Sequence, residues 1–157
     1  MNSLVTSRLD YGNALLSGAS NGTISRLQRV QNTAARLITR AKKCDHITPV
    51  LIRLHWLPVA YRVQYKLLLY TYKALHGLAP PYLQELVSPY QPTRTLRSDS
   101  AGLFCVPRTR SETYGNKRFD VTAATLWNAI PKDLKCASSL SCFKKGLKTY
   151  LFRKAYS

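Results

Sequence analysis

Acidic residues are scarce in this sequence. Only seven occur in 157 residues, at Asp10, Asp45, Glu85, Asp99, Glu112, Asp120 and Asp133, and no two are adjacent. A two-metal polymerase or nuclease needs carboxylates that converge on shared ions, and the local sequence offers no pair from which to start. Cys44, Cys105, Cys136 and Cys142 form no C-x-x-C, and His46, His55 and His76 form no H-x-x-x-H. Cys44-Asp45-His46 would need two distant ligands to become a zinc site. No metal and no cofactor are therefore expected, and the thiols read as reduced and buried. Neither His46 nor His55 has the Ser, Cys or Asp companions that would make it a general base. No apolar run approaches the ~18 residues of a membrane span, and no apolar leader precedes a cleavage site. The expectation is an intracellular protein of nucleus or cytoplasm, not secreted, with no membrane partner.

Positive charge is what the sequence has in excess. Lys and Arg number 24, for a net charge of +17, while hydrophobic residues make up 45%. That apolar share, at this length, fits one domain or two small ones rather than a disordered basic tail. Spread evenly, the excess charges would lie about 20 Å apart, beyond a Debye length of about 8 Å. Clustering therefore decides whether a polyanion can be held, and nucleic acid leads as the partner of such a chain.

The clearest cluster lies in residues 23–43, TISRLQRVQNTAARLITRAKK. With Thr23 as N-cap and about 100° per residue, Ile24, Leu27, Val30, Ala34, Leu37, Ile38 and Ala41 share one face. Arg26, Arg29, Arg36, Arg40 and Lys43 share the opposite face, a basic stripe about 26 Å long at 1.5 Å per residue. Arginine offers planar donors that match phosphate oxygens, and an apolar face opposite would anchor such a helix to its domain. A solvated charged face is the plain alternative; the lack of any acid among these arginines favours phosphate contact.

The remaining pattern is also helical. Residues 3–16 form a loose helix carrying Leu4, Val5, Leu9, Leu15 and Leu16, followed by a turn at Gly18–Gly22. Thr48-Pro49 opens a short helix ending at Leu57-Pro58, since proline suits the first helical turn. A longer helix then runs to about His76, with Gly77 as its C′ residue. That helix is apolar around most of its circumference, with only Arg62, Lys66 and Lys73 on a polar strip, so it should be the buried core helix. Tyr61, Tyr65, Tyr70 and Tyr72 on it could stack bases, but tyrosines at helical spacing among leucines read more simply as core. Trp56 and Trp127, each beside a proline-terminated turn, read as packing anchors. A short helix follows Pro80-Pro81, and residues 88–118 read as irregular with one strand at Leu103–Val106. The basic residues Arg94, Arg97, Arg108, Arg110, Lys117 and Arg118 in that stretch fit either a linker or a nucleic-acid contact. Helices resume at Phe119–Ile130 and Ser141–Lys154. In the last, Phe143, Leu147, Tyr150 and Leu151 form the apolar line, opposite Lys144, Lys145, Lys148, Arg153 and Lys154.

Several strings taken together resemble a known family. SRLDYGNALLSG, LQRVQNTAARLITR, HITPVLIRLHWLPVAYRVQYKLLLYTYKALHGLAPPYLQELV, RTLRS, VPRTRSETYG, FDVTAATLWNAIP and SLSCFKKGLKTYLF are similar, in order and across essentially the whole chain, to the region downstream of the polymerase centre in jockey-like non-LTR retrotransposon reverse transcriptases. The resemblance implies that the LQRVQN helix is the thumb, which lies beside the template–primer duplex. The family's polymerase centre, an aromatic-x-Asp-Asp motif with a separate aspartate, has no counterpart here, and neither does the zinc knuckle of a related branch. The resemblance thus implies a truncated copy or terminal fragment without polymerase activity, able to meet the polymerase palm of a full-length element.

The expected fold is mainly α: a thumb-like helical segment (1–43), a helical core segment (44–87), an irregular basic linker (88–118) and a C-terminal helical unit (119–157). The expected function is that of a non-enzymatic fragment holding RNA or an RNA–DNA duplex by phosphate contacts, with Arg26, Arg29, Arg36, Arg40 and Lys43 as the binding residues. A structural or interaction remnant of a decayed mobile element is the alternative.

Overall fold

The computed structural model describes residues 2–91, 102–111 and 114–157. Among these the chain is mainly α, with eight α-helices: α1 (Asn2–Asp10), α2 (Asn21–Thr39), α3 (Ile47–Arg53), α4 (Val59–Leu75), α5 (Pro81–Glu85), α6 (Phe119–Ala129), α7 (Lys132–Lys135) and α8 (Leu140–Tyr156). Extended pairing among the described residues is limited to a bridge between Pro89 and Phe104. The helices gather into two compact units, Met1–Tyr65 with Lys148–Ser157, and Lys66–Leu147. The division falls within α4 and within α8.

In the first unit a core of Ala34, Ala35, Leu51 and Trp56 is flanked by Val5, Ile47, Val50, Leu54 and Tyr156. Two small alanines on α2 let a neighbouring helix approach closely, and α3 supplies Leu51 there. Much of the remaining cohesion is polar. Gln31 Nε2 donates to the Leu57 carbonyl at 2.8 Å, and Gln28 Oε1 accepts the Val59 N–H at 2.8 Å. The second bond caps one of the first N–H groups of α4, which no intrahelical carbonyl can reach. The Arg62 guanidinium meets the Asp10 carboxylate through two parallel bonds, from Nε to Oδ1 at 2.8 Å and from Nη2 to Oδ2. Tyr156 donates its hydroxyl to the Trp56 carbonyl, and burial pushes its pKa up to about 12. Burial, together with the negative charge of Asp10, likewise raises the Tyr65 hydroxyl.

Helix ends in this unit differ from the expected ones. The helix expected over residues 3–16 stops at Asp10, because Gly12 turns left-handed (φ 62) and a 3₁₀ turn follows at Asn13–Leu16. α2 starts earlier than Thr23: Ser20 is the N-cap and accepts the Thr23 N–H at 3.3 Å. It also ends earlier, at Thr39. Arg40 adopts a left-handed conformation (φ 55), and the Ala41 N–H returns to the Arg36 carbonyl at 3.2 Å, the bond pattern of a Schellman closure. His55 closes α3 in the same way (φ 53), with Trp56 N–H returning to the Leu51 carbonyl at 3.0 Å. α4 ends at Gly77 (φ 67), as expected, with Leu78 N–H on the Lys73 carbonyl at 2.8 Å.

The second unit closes around aromatic rings. Centroids of Phe104 and Trp127 are 5.4 Å apart, Trp127 and Phe143 6.0 Å, and Phe143 and Tyr72 4.2 Å. Leu67 and Leu68 of α4, Val121, Ala123 and Ala124 of α6, and Leu147 of α8 complete this core, all buried. α4 is therefore the core helix its apolar circumference implied, and Trp127 is the anchor expected of it. The strand expected at Leu103–Val106 contracts to the single bridge at Phe104. Tyr90 N–H donates to Leu103 and Cys105 N–H to Ser88 on one side. On the other side a side chain replaces a strand: Asn128 accepts the Phe104 N–H at 2.9 Å and donates to its carbonyl at 3.0 Å. Trp127 Nε1 adds a bond to the Gly102 carbonyl at 2.9 Å. A short helix not foreseen, α7, follows Pro131.

Candidate nucleic-acid interface

α2 carries the expected basic stripe, and the first question is what neutralises it. From Tyr11 to Cys44 the sequence holds six cations and no acid. The flanking acids are both engaged, Asp10 with Arg62 and Asp45 with the Lys42 N–H at 2.7 Å. Among the described residues no carboxylate lies within ion-pairing distance of Arg26, Arg29, Arg36, Arg40 or Lys43; Asp10 pairs instead with Arg62 and Asp120 with Arg118. Arg26, Arg29, Arg40 and Lys43 are exposed and Arg36 is half-buried. Arg36 alone is partly engaged, with Nη2 donating to the Asp45 carbonyl at 3.3 Å.

Arg26, Arg29 and Arg36 lie on the helix proper and span about 15 Å of its axis. Arg40 and Lys43 do not. The left-handed turn at Arg40 ends the helical register, so Lys43 is placed by the following turn rather than by the stripe, which corrects the expected helical alignment of all five.

The apolar face also needs correction. Of the residues expected to be buried on α2, only Ala34 is, and it is joined by Ala35 and Gln31. Val30 is 54% exposed and Leu37 66%. The bonds of Gln28 and Gln31 to residues 57–59 turn the buried face away from the edge of the apolar arc, and Val30 and Leu37, at about 40° and 20° from Arg26, lie on that edge. The exposed flank of α2 is therefore a band of arginine beside a band of aliphatic carbon. Near its C-terminal end Thr33, Arg36, Leu37, Arg40, Ala41 and Lys43 line an open depression of about 540 Å³. Sequence reasoning missed Thr33 and Leu37 as exposed residues here; their angular closeness to Arg26 was the available signal, whereas Ala41 is half-buried and lies beyond the end of the helix.

Other singled-out residues separate clearly. Trp56 and Tyr72 are buried, while Tyr61, Tyr65 and Tyr70 are half-buried; Tyr61 bonds the Lys154 carbonyl and Tyr72 the Ala137 carbonyl. His46 is exposed at the start of α3, and His55 stacks on Phe152 with centroids 5.8 Å apart. The four cysteines are free but exposed rather than buried: Cys44 and Cys136 sit in turns, Cys105 in the extended segment beside the Phe104 bridge and Cys142 on the outer face of α8. Arg94 and Arg97 lie outside the described residues; Arg108, Arg110 and Lys117 are exposed, and Arg118 pairs with buried Asp120. On α8, Phe143, Leu147 and Leu151 are buried and Lys144, Lys145, Lys148, Arg153 and Lys154 exposed, as their spacing implied. Among the described residues no three His, Cys, Asp or Glu side chains gather to hold a metal, and no helix is long and apolar enough to cross a membrane. No protein-family model, curated protein or solved structure matches the chain.

Proposed function

We propose that this chain is a non-catalytic nucleic-acid-binding fragment that holds RNA or an RNA–DNA duplex through its phosphates. Its resemblance to the thumb and downstream region of jockey-like non-LTR reverse transcriptases supports that reading, and implies that it descends from such an element. The observation that carries it is electrostatic: Arg26, Arg29, Arg36 and Arg40 border one exposed flank of α2 with no carboxylate in reach among the described residues. Uncompensated guanidinium groups in a row favour a polyanion, and phosphate contacts give affinity without reading sequence. With four such contacts, log affinity should fall with log salt at a slope of about −3.6, taking 0.9 per contact. Replacing all four by Gln should flatten the slope and weaken binding to all sequences alike, as read by fluorescence anisotropy at several salt concentrations. A slope near zero in the unaltered protein sinks the proposal.

A second reading, a structural or interaction remnant, draws on one observation. Tyr11 and Leu15 are each 89% exposed in the first unit, alongside Leu4, Val30 and Leu37. Apolar side chains so displayed suit docking on another polypeptide, such as the polymerase palm of a full-length element. That reading is favoured if the salt slope is absent.

A further inference from the structure

The depression at the end of α2 has a composition that phosphate binding alone does not explain. Its lining sets the cations Arg36, Arg40 and Lys43 together with aliphatic Leu37 and Ala41, and Leu37 is 66% exposed. The depression is open, with a volume of about 540 Å³, room enough for a group the size of one nucleotide to rest on it rather than be enclosed. The C-terminal end of a helix carries roughly half a negative charge, so an anion settles here only because three full positive charges outweigh it. Part of that terminus is already closed, since the Arg36 carbonyl accepts from Ala41.

Duplex nucleic acid makes poor use of such a site. Its outer surface is convex and bristles with phosphates, and its bases are stacked and paired, so an aliphatic floor would lose water without gaining an apolar partner. An unpaired nucleotide has the complementary form: a phosphate for the cationic rim, and a sugar and base free to lie on carbon. Unpaired, splayed nucleotides are the usual targets of concave protein sites on RNA. Resting on the phosphate-binding reading above, we infer that this depression takes an unpaired nucleotide of the bound strand. The stripe at Arg26 and Arg29 holds backbone, and the depression at Leu37 distinguishes unpaired from paired segments.

Two RNA–DNA probes with the same number of phosphates test this, one fully paired and one carrying an unpaired overhang, each bound by the full chain in anisotropy titrations over a salt series. The overhang probe should bind about fivefold more tightly, the return from burying part of one leucine side chain. Leu37→Asn should abolish that difference while leaving the salt slope unchanged, because no cation is removed. Leu37→Tyr should widen it to about tenfold or more, as a ring gives a base a stacking surface. Equal binding of the two probes by the unaltered protein, or a preference that survives Leu37→Asn, overturns the inference while a steep salt slope keeps the phosphate reading intact. Loss of the slope itself removes both. Since Leu37 lies on the surface, near-UV circular dichroism of each variant should match that of the parent; if Leu37→Asn alone perturbs it, the Leu37→Tyr result decides.

Discussion

The two units carry equal numbers of Lys and Arg, twelve each, yet the first holds two acids and the second five. Their interiors differ in the same direction. The second unit closes on a run of rings, Phe104, Trp127, Phe143 and Tyr72, with leucines around them. Among its described residues the first has a single buried ring, Trp56, among aliphatic residues such as Ala35, Leu51, Val59 and Val63, and side-chain bonds join its distant residues: Gln28 to Val59, Gln31 to Leu57, Arg62 to Asp10, Tyr156 to Trp56. Both units leave large apolar residues at the surface, Tyr11, Leu15, Val30 and Leu37 in the first and Leu78, Tyr82 and Tyr114 in the second, but only in the first do some of them, Val30 and Leu37, lie beside the arginines of α2. The contrast separates two roles within one chain. One unit is closed by stacked rings; the other carries the larger excess of positive charge and, on α2, sets that charge beside exposed carbon.

Removing a ring should show the contrast most strongly. Phe143→Ala, at a fully buried position, should cost about 3–5 kcal/mol, measured by urea unfolding with Trp127 as the reporter in near-UV circular dichroism. A loss under about 1 kcal/mol would mean that the ring core is not what stabilises the second unit. A smaller effect is expected from cutting one polar tie in the first unit. Gln28→Ala leaves the Val59 N–H without its acceptor and should cost about 1–2 kcal/mol, followed through Trp56; no change would show the polar ties to be incidental. The smallest effect should be a gain. His55 sits in a left-handed conformation (φ 53) that costs a residue with a Cβ roughly 1–2 kcal/mol. His55→Gly relieves that strain but frees the unfolded chain, so a net stabilisation of about 0.5–1 kcal/mol is expected. Destabilisation instead would show that the stacking of His55 on Phe152 outweighs the strain.

Much of the helical framework was legible from spacing alone. The apolar circumference of α4, the Gly77 closure, proline at the start of α5 and the buried line Phe143, Leu147, Leu151 all follow from local rules. What local rules could not supply is the identity of a neighbour. Gln28 and Gln31 reach residues about thirty positions away, and their bonds, not the apolar arc, set which side of α2 is covered. Hence Leu37, on the apolar face by spacing, is surface, while Gln31, a polar residue with no place on that face, is fully buried. The register of the basic stripe failed only past Arg40, where an arginine takes the left-handed turn that sequence rules assign to glycine or asparagine. The arginines at 26, 29 and 36 needed no neighbour to be placed, which is why the candidate site was recognisable before its floor was.

Cys142 gives the molecule a chemical handle of its own. It is exposed near the start of α8, and hydrogen bonds from Ser139 and Ser138, with Lys145 nearby, draw its thiol below the ordinary cysteine range. Thiolate, not thiol, attacks electrophiles, so this exposed sulfur should react readily with an alkylating dye or a mild oxidant added near neutral pH. The second unit thus carries a native position at which a spectroscopic label can be attached, well apart in sequence from the arginines of α2.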